Sequence, residues 1–223
     1  MNQLLLDFVN RCAVLGADPD QVAAMLDADK EAYDAYTFEL HELNRRAVHT
    51  LAGPVYRVPL LAPVECDFML NAAAGYDYTP NPEEDKDYQI EEAMLAYVDP
   101  EMYEYLKGHL LPILNAYSLF LYSTPITKVE SFQIAKYRQG HTPGTGWHAD
   151  RVSDVTAVIS LNPKGFKGGG TGVRVSPDEL YELKPLPKGH ALLFNGKMIQ
   201  HRGLDVTEGE RLLLVCWCSI QAD

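Results

Sequence analysis

The hydrophobic pattern changes character close to the middle of the chain. Before Thr124-Pro125, apolar residues mostly recur at helical spacing. The predicted helical ranges are 3–15, 19–51, 88–98 and 100–121. Asp18-Pro19 and Asp99-Pro100 are typical helix starts, because proline is favoured at the first helical position. The pattern therefore predicts a helical N-terminal region over residues 1–125.

Two stretches interrupt this helical region. Val55–Leu61 has the composition of a short strand, and Pro59 favours an edge position because proline cannot donate to a ladder. Residues 75–87 are polar, with two prolines and an acidic cluster, and they predict a solvated loop or a lid over a substrate.

After residue 125, short segments alternate with period two between glycine-rich turns. This pattern predicts a β-sandwich or barrel over residues 126–223, against which the helices pack as one compact α+β unit with a mainly β core. The predicted strands are Val129–Tyr137, Gly146–Asp150, Val155–Leu161, Thr171–Val175, His190–Phe194, Met198–Gly203 and Arg211–Ile220.

Composition and charge narrow the classes of partner and compartment. The formal net charge of -12 argues against nucleic acid, because an acidic surface repels phosphate. No stretch is apolar enough for a membrane span, and the N-terminus does not resemble a signal peptide. The four cysteines lack zinc-type spacing and indicate reduced thiols. We therefore expect a cytoplasmic protein.

Candidate chemistry is concentrated in His148, Asp150 and His201. His148 and Asp150 are separated by one residue, so on a strand both would point to the same side. His201 lies in a later predicted strand. Two histidines and one carboxylate bind one face of an octahedral ion and leave other positions open, which is typical of non-haem iron(II) oxygenases.

Arg211 is the second unusual residue. It lies ten residues after His201, and on a strand it shares a face with Leu213, Val215 and Trp217. A cation on an apolar face is costly to bury without a partner. The free carboxylate of a dicarboxylate is one such partner, and a salt bridge to a neighbouring acidic side chain is the alternative.

Together these segments resemble the 2-oxoglutarate/iron(II) dioxygenases, and within them the prolyl and lysyl hydroxylase-like branch. The resemblance rests on AKYRQG, GWHAD, SLNPKGFKGGGT and PKGHALLFNGKMIQHRGLDVTEGERLLLVCW, in that order and spacing. It covers residues 134–218 and implies a double-stranded β-helix, or jelly roll.

The resemblance also implies roles for individual residues. His148, Asp150 and His201 would hold Fe(II), and Arg211 would bind the far carboxylate of 2-oxoglutarate. Three further residues would lie near the cosubstrate: Tyr137, Ser160 and Thr207. The implied reaction uses O2, with ascorbate as an auxiliary reductant, and hydroxylates a C–H bond while 2-oxoglutarate becomes succinate and CO2.

Several alternatives remain open from the residues alone. A peptide or amino-acid substrate follows from the branch resemblance, whereas a nucleobase or another small molecule would use the same chemistry. A non-catalytic jelly-roll binding module would keep the fold without turnover. A zinc hydrolase would use the same three ligands but would leave Arg211 without a role.

Overall fold

A computed structural model describes residues 47–80, 86 and 89–220. Most of this part of the chain forms antiparallel β-structure arranged as two sheets of unequal size. The larger sheet has the strand order β1-β2-β10-β6-β12-β5-β4-β3, with β7 joined to β12. Its strands are β1 (His49–Ala52), β2 (Val55–Pro59), β3 (Thr79–Pro80), β4 (Glu91–Met94), β5 (Lys128–Arg138), β6 (Val155–Ser160), β7 (Phe166–Gly168), β10 (His190–Phe194) and β12 (Val206–Ser219).

The smaller sheet has three strands in the order β11-β8-β9. These are β8 (Thr171–Ser176), β9 (Glu179–Leu183) and β11 (Gln200–Gly203). The chain alternates between the two sheets, since β6 and β10 lie in the large sheet and β8 and β11 in the small one. This arrangement confirms the predicted double-stranded β-helix.

Helices cover one face of the large sheet. They are α1 (Pro63–Ala73), α2 (Leu95–Val98) and α3 (Pro100–Tyr122). Asp99 caps α3 by accepting a hydrogen bond from the Met102 N–H at 2.9 Å, and Ser123 ends the helix in a left-handed conformation. The predicted start of α3 at Asp99-Pro100 is confirmed.

The two faces of β12 have different surroundings, and this difference places the functional site. Leu214, Cys216 and Cys218 pack with buried residues of α1 and α3 in the main hydrophobic core. The alternate residues, from Arg211 to Trp217, line a cavity between the two sheets. Because both faces are covered, the strand is almost continuously apolar rather than alternating.

The structure corrects several sequence-based boundaries. Residues 49–51, predicted as helix, form β1, and residues 91–94 form β4 instead of the middle of a helix. Strand β2 is not an edge strand, because β1 and β10 flank it. Pro59 is tolerated because it is the last residue of β2, opposite His190.

Some sequence-based predictions fall outside the part described. These are the helices predicted over 3–15 and most of 19–51, Cys12, residues 81–85 and 87 of the acidic loop, and residue 88 of the helix predicted over 88–98. The division of the chain at residue 125 stays a prediction, although strands β1 to β4 precede it and belong to the same sheet as β12. The three cysteines in the described ranges are buried and unpaired.

Candidate metal centre

His148 and His201 are brought together by a single backbone bridge. His148 N–H donates to the His201 carbonyl at 3.0 Å, and His201 N–H donates to the His148 carbonyl at 2.8 Å. His201 belongs to β11, whereas the predicted strand 146–150 is reduced to this bridge. The imidazole rings lie side by side as a result, with centroids 4.4 Å apart.

Each imidazole is oriented by the backbone carbonyl of the residue two positions before it. Nδ1 of His148 lies 3.0 Å from the Gly146 carbonyl oxygen, and Nδ1 of His201 lies 3.1 Å from that of Ile199. A carbonyl can only accept, so both Nδ1 atoms carry the proton. In a neutral imidazole of this tautomer the lone pair is on Nε2, which is the atom that would bind a metal.

Asp150 is held by a short relay of hydroxyl groups. Thr156 donates to Asp150 Oδ2 at 2.7 Å. The Thr156 hydroxyl has one proton, and the bond to Asp150 uses it. The Ser153 hydroxyl, 2.8 Å from Thr156 Oγ1, is therefore the donor in the second bond. Ser153 in turn accepts from the Cys218 N–H at 3.3 Å. Asp150 Oδ1 is left to face the histidines.

The three side chains converge on one point. Asp150 Oδ1 lies 3.6 Å from His201 Nε2 and 4.0 Å from His148 Nε2. One ligand atom from each residue lies within 4.8 Å of the others, and no second group of this kind occurs within the described ranges. Two neutral imidazoles and one carboxylate suit a divalent transition metal with positions left open for other ligands.

Burial sets the protonation state of His201. Desolvation lowers its pKa below the usual value, while the nearby Asp150 carboxylate opposes this shift. His201 is therefore neutral at neutral pH, as metal coordination requires.

Arg211 lies 4% exposed on the inner face of β12. Its guanidinium donates to the Gly170 carbonyl at 2.6 Å, and Nη2 lies 3.5 Å from Thr171 Oγ1. Burial lowers its pKa, yet an arginine stays charged at neutral pH. No carboxylate among the described residues lies within ion-pair distance, so the predicted alternative of a salt bridge to Asp205, Glu208 or Glu210 is wrong.

A run of three glycines shapes the loop beside Arg211. Gly168, Gly169 and Gly170 all have positive φ angles, which non-glycine residues rarely adopt. A Cβ on Gly169 would lie 2.7 Å from the Phe166 ring and 3.4 Å from Arg211 Cδ. The loop therefore approaches Arg211 closely, and the Gly170 carbonyl can accept its hydrogen bond.

One cavity of about 610 Å³ joins the histidine–aspartate cluster to Arg211. Its walls are largely apolar, with a few polar groups placed at intervals. The cavity is lined in part by Ile90, Glu92, Gln133, Tyr137, Val158, Thr171, Leu213, Val215 and Trp217. An apolar cavity with few convergent polar groups is typical of small-molecule sites.

Comparison with known sequences identifies the family of this region. Residues 132–219 match the sequence model of the 2OG-Fe(II) oxygenase superfamily, where 2OG is 2-oxoglutarate. The matched segment contains all three members of the cluster and Arg211. This part of the chain is therefore similar to the 2OG-Fe(II) oxygenase superfamily. Enzymes of this superfamily are oxidoreductases that use Fe(II), 2-oxoglutarate and O2, which confirms the enzyme class and cofactors predicted from sequence.

Solved structures share the fold of this oxygenase. A prolyl hydroxylase from Trichoplax adhaerens, bound to a peptide of hypoxia inducible factor, superposes with a TM-score of 0.59 at 15% identity, covering 75% of this chain and 84% of its own. A 2OG-Fe(II) oxygenase from Burkholderia pseudomallei gives 0.60 at 16% identity, with coverages of 75% and 86%.

A prolyl-4-hydroxylase from Pseudomonas putida gives a TM-score of 0.56 at 17% identity, covering 75% of this chain and 93% of its own. At these identities the likeness extends to the fold alone. No curated protein sequence matches the chain.

Three further residues of the oxygenase were predicted to lie near the cosubstrate. Tyr137 lines the cavity opposite Arg211, whose guanidinium carbon lies 5.5 Å from the tyrosine ring centroid. Ser160 is buried opposite Leu213 and does not line the cavity. Thr207 is exposed and lies beside the Gly168 turn. Only Tyr137 is therefore positioned beside Arg211.

Sequence reasoning missed the groups that support the cluster. Thr156 and Ser153 have no motif of their own, although both lie close to Asp150 in the chain. Gly196 is also essential to the shape, because a Cβ there would lie 2.3 Å from Thr156 Oγ1 and 2.9 Å from Asp150 Oδ2. Thr171, which follows the glycine run, was recognised only as the start of a strand.

The residues that flank the cluster have contrasting positions. Trp147 lies outside the cavity, with the guanidinium carbons of Arg174 and Arg202 5.0 and 4.9 Å from its ring centroid. Arg151 is exposed and lines the cavity.

Proposed function

We propose that this protein hydroxylates an unactivated C–H bond of a peptide or amino-acid substrate. In the proposed reaction, 2-oxoglutarate and O2 are consumed and succinate and CO2 are formed. The observation that carries the proposal is the placement of His148, Asp150 and His201 in the same cavity as Arg211, which has no carboxylate partner among the described residues.

The protein would contribute binding and orientation. His148 and His201 would coordinate Fe(II) through Nε2, and Asp150 through Oδ1. The bound iron, with 2-oxoglutarate and O2, supplies the oxidising chemistry, in which one oxygen atom enters the hydroxylated product and the other enters succinate. Asp150 brings a negative charge that offsets the charge of the metal, and the hydroxyl relay through Thr156 keeps it in place.

Arg211 would bind the far carboxylate of 2-oxoglutarate. A guanidinium can grip a carboxylate with two parallel hydrogen bonds, and low polarity around the pair strengthens them. Tyr137 and Thr171 lie beside this cation and would complete the polar pocket. Leu213 and Val215 form the apolar wall between Arg211 and the cluster and would exclude water from the reacting end.

Two observations support a peptide or amino-acid substrate over a nucleic acid. Structures that share this fold include prolyl hydroxylases, one of them bound to a peptide. The formal charge of -12 disfavours a phosphate backbone. Ascorbate would serve as an auxiliary reductant in the assay.

Succinate release tests the proposal. Purified protein is supplied with Fe(II), ascorbate and 2-oxoglutarate, with and without peptides, free amino acids and nucleosides. We expect succinate to form, to increase with a peptide or an amino acid, and to disappear in His148→Ala and in His201→Ala. His141→Ala is the matched control, because this exposed histidine lies outside the cavity, and it should behave like the wild type.

Other outcomes would identify the alternatives. Hydrolysis that depends on zinc and ignores 2-oxoglutarate would indicate a hydrolase, and metal-free, inactive protein would indicate a binding module. Stimulation by nucleosides alone would point to the nucleobase oxygenases instead.

A further inference from the structure

One part of the cavity wall carries polar groups without partners. Gln133 is 3% exposed, and its side-chain oxygen Oε1 is buried without a hydrogen-bond partner among the described residues. The Nε1 of Trp217 is likewise buried without a partner. A buried polar group that makes no hydrogen bond destabilises the folded state. Both residues line the cavity, so a ligand there is a ready source of partners.

The strand register places these two side chains next to each other. Gln133 lies opposite Val215, and Trp217 lies opposite Ser131, so Gln133 and Trp217 are diagonal neighbours on adjacent strands. Diagonal neighbours on one face of a sheet are within reach of long or aromatic side chains. A single ligand group can therefore contact both.

The pair lies at the metal end of the cavity. Trp217 on β12 lies opposite Thr156 on the neighbouring strand β6. Thr156 is the residue that donates a hydrogen bond to Asp150. Arg211 lies six residues away along the same strand, a separation of about 20 Å at roughly 3.3 Å per residue. A five-carbon dicarboxylate bound at Arg211 is too short to occupy the pair as well.

Glu92 adds a negative charge to the same wall. It is 8% exposed, lines the cavity and lies on β4, diagonal to Gln133. The wall thus offers one N–H donor from Trp217, carboxylate acceptors from Glu92, and an amide at Gln133 that both donates and accepts.

We propose that Gln133 and Trp217, assisted by Glu92, form a subsite that recognises a carboxamide of the substrate. The Trp217 N–H would donate to the substrate carbonyl, and Gln133 and Glu92 would accept from the substrate N–H. A peptide unit carries this donor and acceptor in one plane, so it matches the wall with a single group. This subsite rests on the proposed function for its role in turnover, whereas binding at the subsite is testable without turnover.

The indole N–H signal of Trp217 reports on binding directly. The chain has two tryptophans, so a Trp147→Phe variant of the ¹⁵N-labelled protein assigns the Trp217 signal in NMR spectra. The probes are amides of N-acetyl-N-methyl amino acids, the matching methyl esters, which carry no N–H, and nucleosides. We expect at least one amide to shift the signal downfield and to bind at least tenfold more tightly than its ester.

Two results of this titration would overturn the subsite. One is that no amide moves the indole signal, or that amide and ester bind equally. The other is that only nucleosides move it. Because the titration needs neither iron nor turnover, its outcome is independent of whether succinate forms.

A Gln133→Met variant tests the same subsite through selectivity. Methionine keeps the length of the side chain and removes both polar atoms, so we expect thermal stability to be retained. The ratio of succinate release with the preferred amide to that with its ester should fall at least tenfold. Gln200→Met, on the exposed side of β11, is the matched control and should keep the ratio. An unchanged ratio in Gln133→Met would contradict the proposal.

Discussion

At the scale of single residues, the charged side chains of Arg211 and Asp150 are held by different kinds of support. Arg211 is fixed by a backbone carbonyl and a threonine, and it lacks a carboxylate partner within the described ranges. Asp150 depends on a hydroxyl relay that begins at Thr156. Substitutions at Arg211 and Thr156 therefore probe separately the proposed binding of cosubstrate and the proposed binding of metal.

Replacing Arg211 with methionine should weaken the binding of 2-oxoglutarate. The side chain keeps most of its volume but loses the charge that would pair with the far carboxylate. We expect the 2-oxoglutarate concentration at half-maximal succinate release to rise roughly 100-fold, corresponding to about 3 kcal/mol for a charged hydrogen-bonded pair. Iron binding, measured by metal analysis, should persist. An unchanged requirement would make Arg211 a structural residue.

Replacing Thr156 with valine should weaken metal binding. Valine has the same shape but cannot donate to Asp150 Oδ2, and loss of such supporting groups typically costs about 10–100-fold in metal affinity. Competition with a metal chelator measures the change. Thr124→Val removes a comparable hydrogen bond to the Tyr122 carbonyl, far from the cavity, and serves as the control. Equal affinity in the two variants would show that the relay is unimportant.

At the scale of elements, the sequence predicted the longer buried strands after residue 125 and missed two short strands that are mostly exposed. Strands β5, β6, β8 and β10 match their predictions within two residues at each end. Strand β9 was missed because four of its five residues are exposed, so no buried face marks it. Strand β7 has only three residues, which is too short for a period-two pattern.

The site was predicted better than the elements that support it. His148 and Asp150 were expected on a regular strand, yet they lie in a segment held by one bridge and by the hydrogen bond from the Asp150 N–H to Gly196. Their side chains converge nonetheless. Spacing along the chain identifies residue types suited to a metal, whereas hydroxyl relays and close glycine contacts depend on tertiary packing and leave no pattern in one sequence.

Gly196 tests the importance of that packing. In Gly196→Ala, the new methyl group would press on Thr156 Oγ1 and on Asp150, so we expect a loss of metal affinity of at least tenfold and a lower melting temperature. Gly108→Ala is the matched control. Gly108 lies inside α3 with open space around it, so alanine there should stabilise the protein by about 0.5–1 kcal/mol. If both variants melt at the same temperature as the wild type, both expectations about stability are contradicted.

At the scale of the whole molecule, the described region is a sheet with helices on one side and a reactive cavity on the other. No helix in this region is both long and apolar enough to cross a bilayer. The helix-covered face contributes most of the apolar core, while the cavity is lined by the buried charged side chains of Glu92, Asp150 and Arg211. Stability and function are thus assigned to opposite faces of the same strands.

His190 gives this stability a dependence on pH. It opens β10, and burial, followed by the charges of Arg57 and His49, lowers its pKa below 6.5. As pH drops below about 6.5, His190 becomes protonated in the unfolded chain before it does so in the folded protein. The free energy of unfolding therefore falls with pH in this range. Above that value this contribution is constant.

Urea unfolding at pH 7.5 and 5.5 measures this effect. In His190→Gln, we expect the loss of unfolding free energy between the two pH values to be smaller than in the wild type. His141→Gln, at an exposed position, is the control and should follow the wild type. A loss of the same size in His190→Gln would assign the acid sensitivity to other groups.

The backbone contacts of the two imidazoles have a consequence for how the centre tolerates genetic change. His148 and His201 are aimed by carbonyl groups of the residues two positions earlier, and every amino acid supplies a carbonyl. Substitutions around them can accumulate without turning either ring. The Asp150 carboxylate depends instead on a side chain, because it is oriented by the hydrogen bond that the Thr156 hydroxyl donates. We therefore expect related sequences to vary freely at positions 146 and 199, whose carbonyls orient the histidines. At position 156 we expect only serine or threonine.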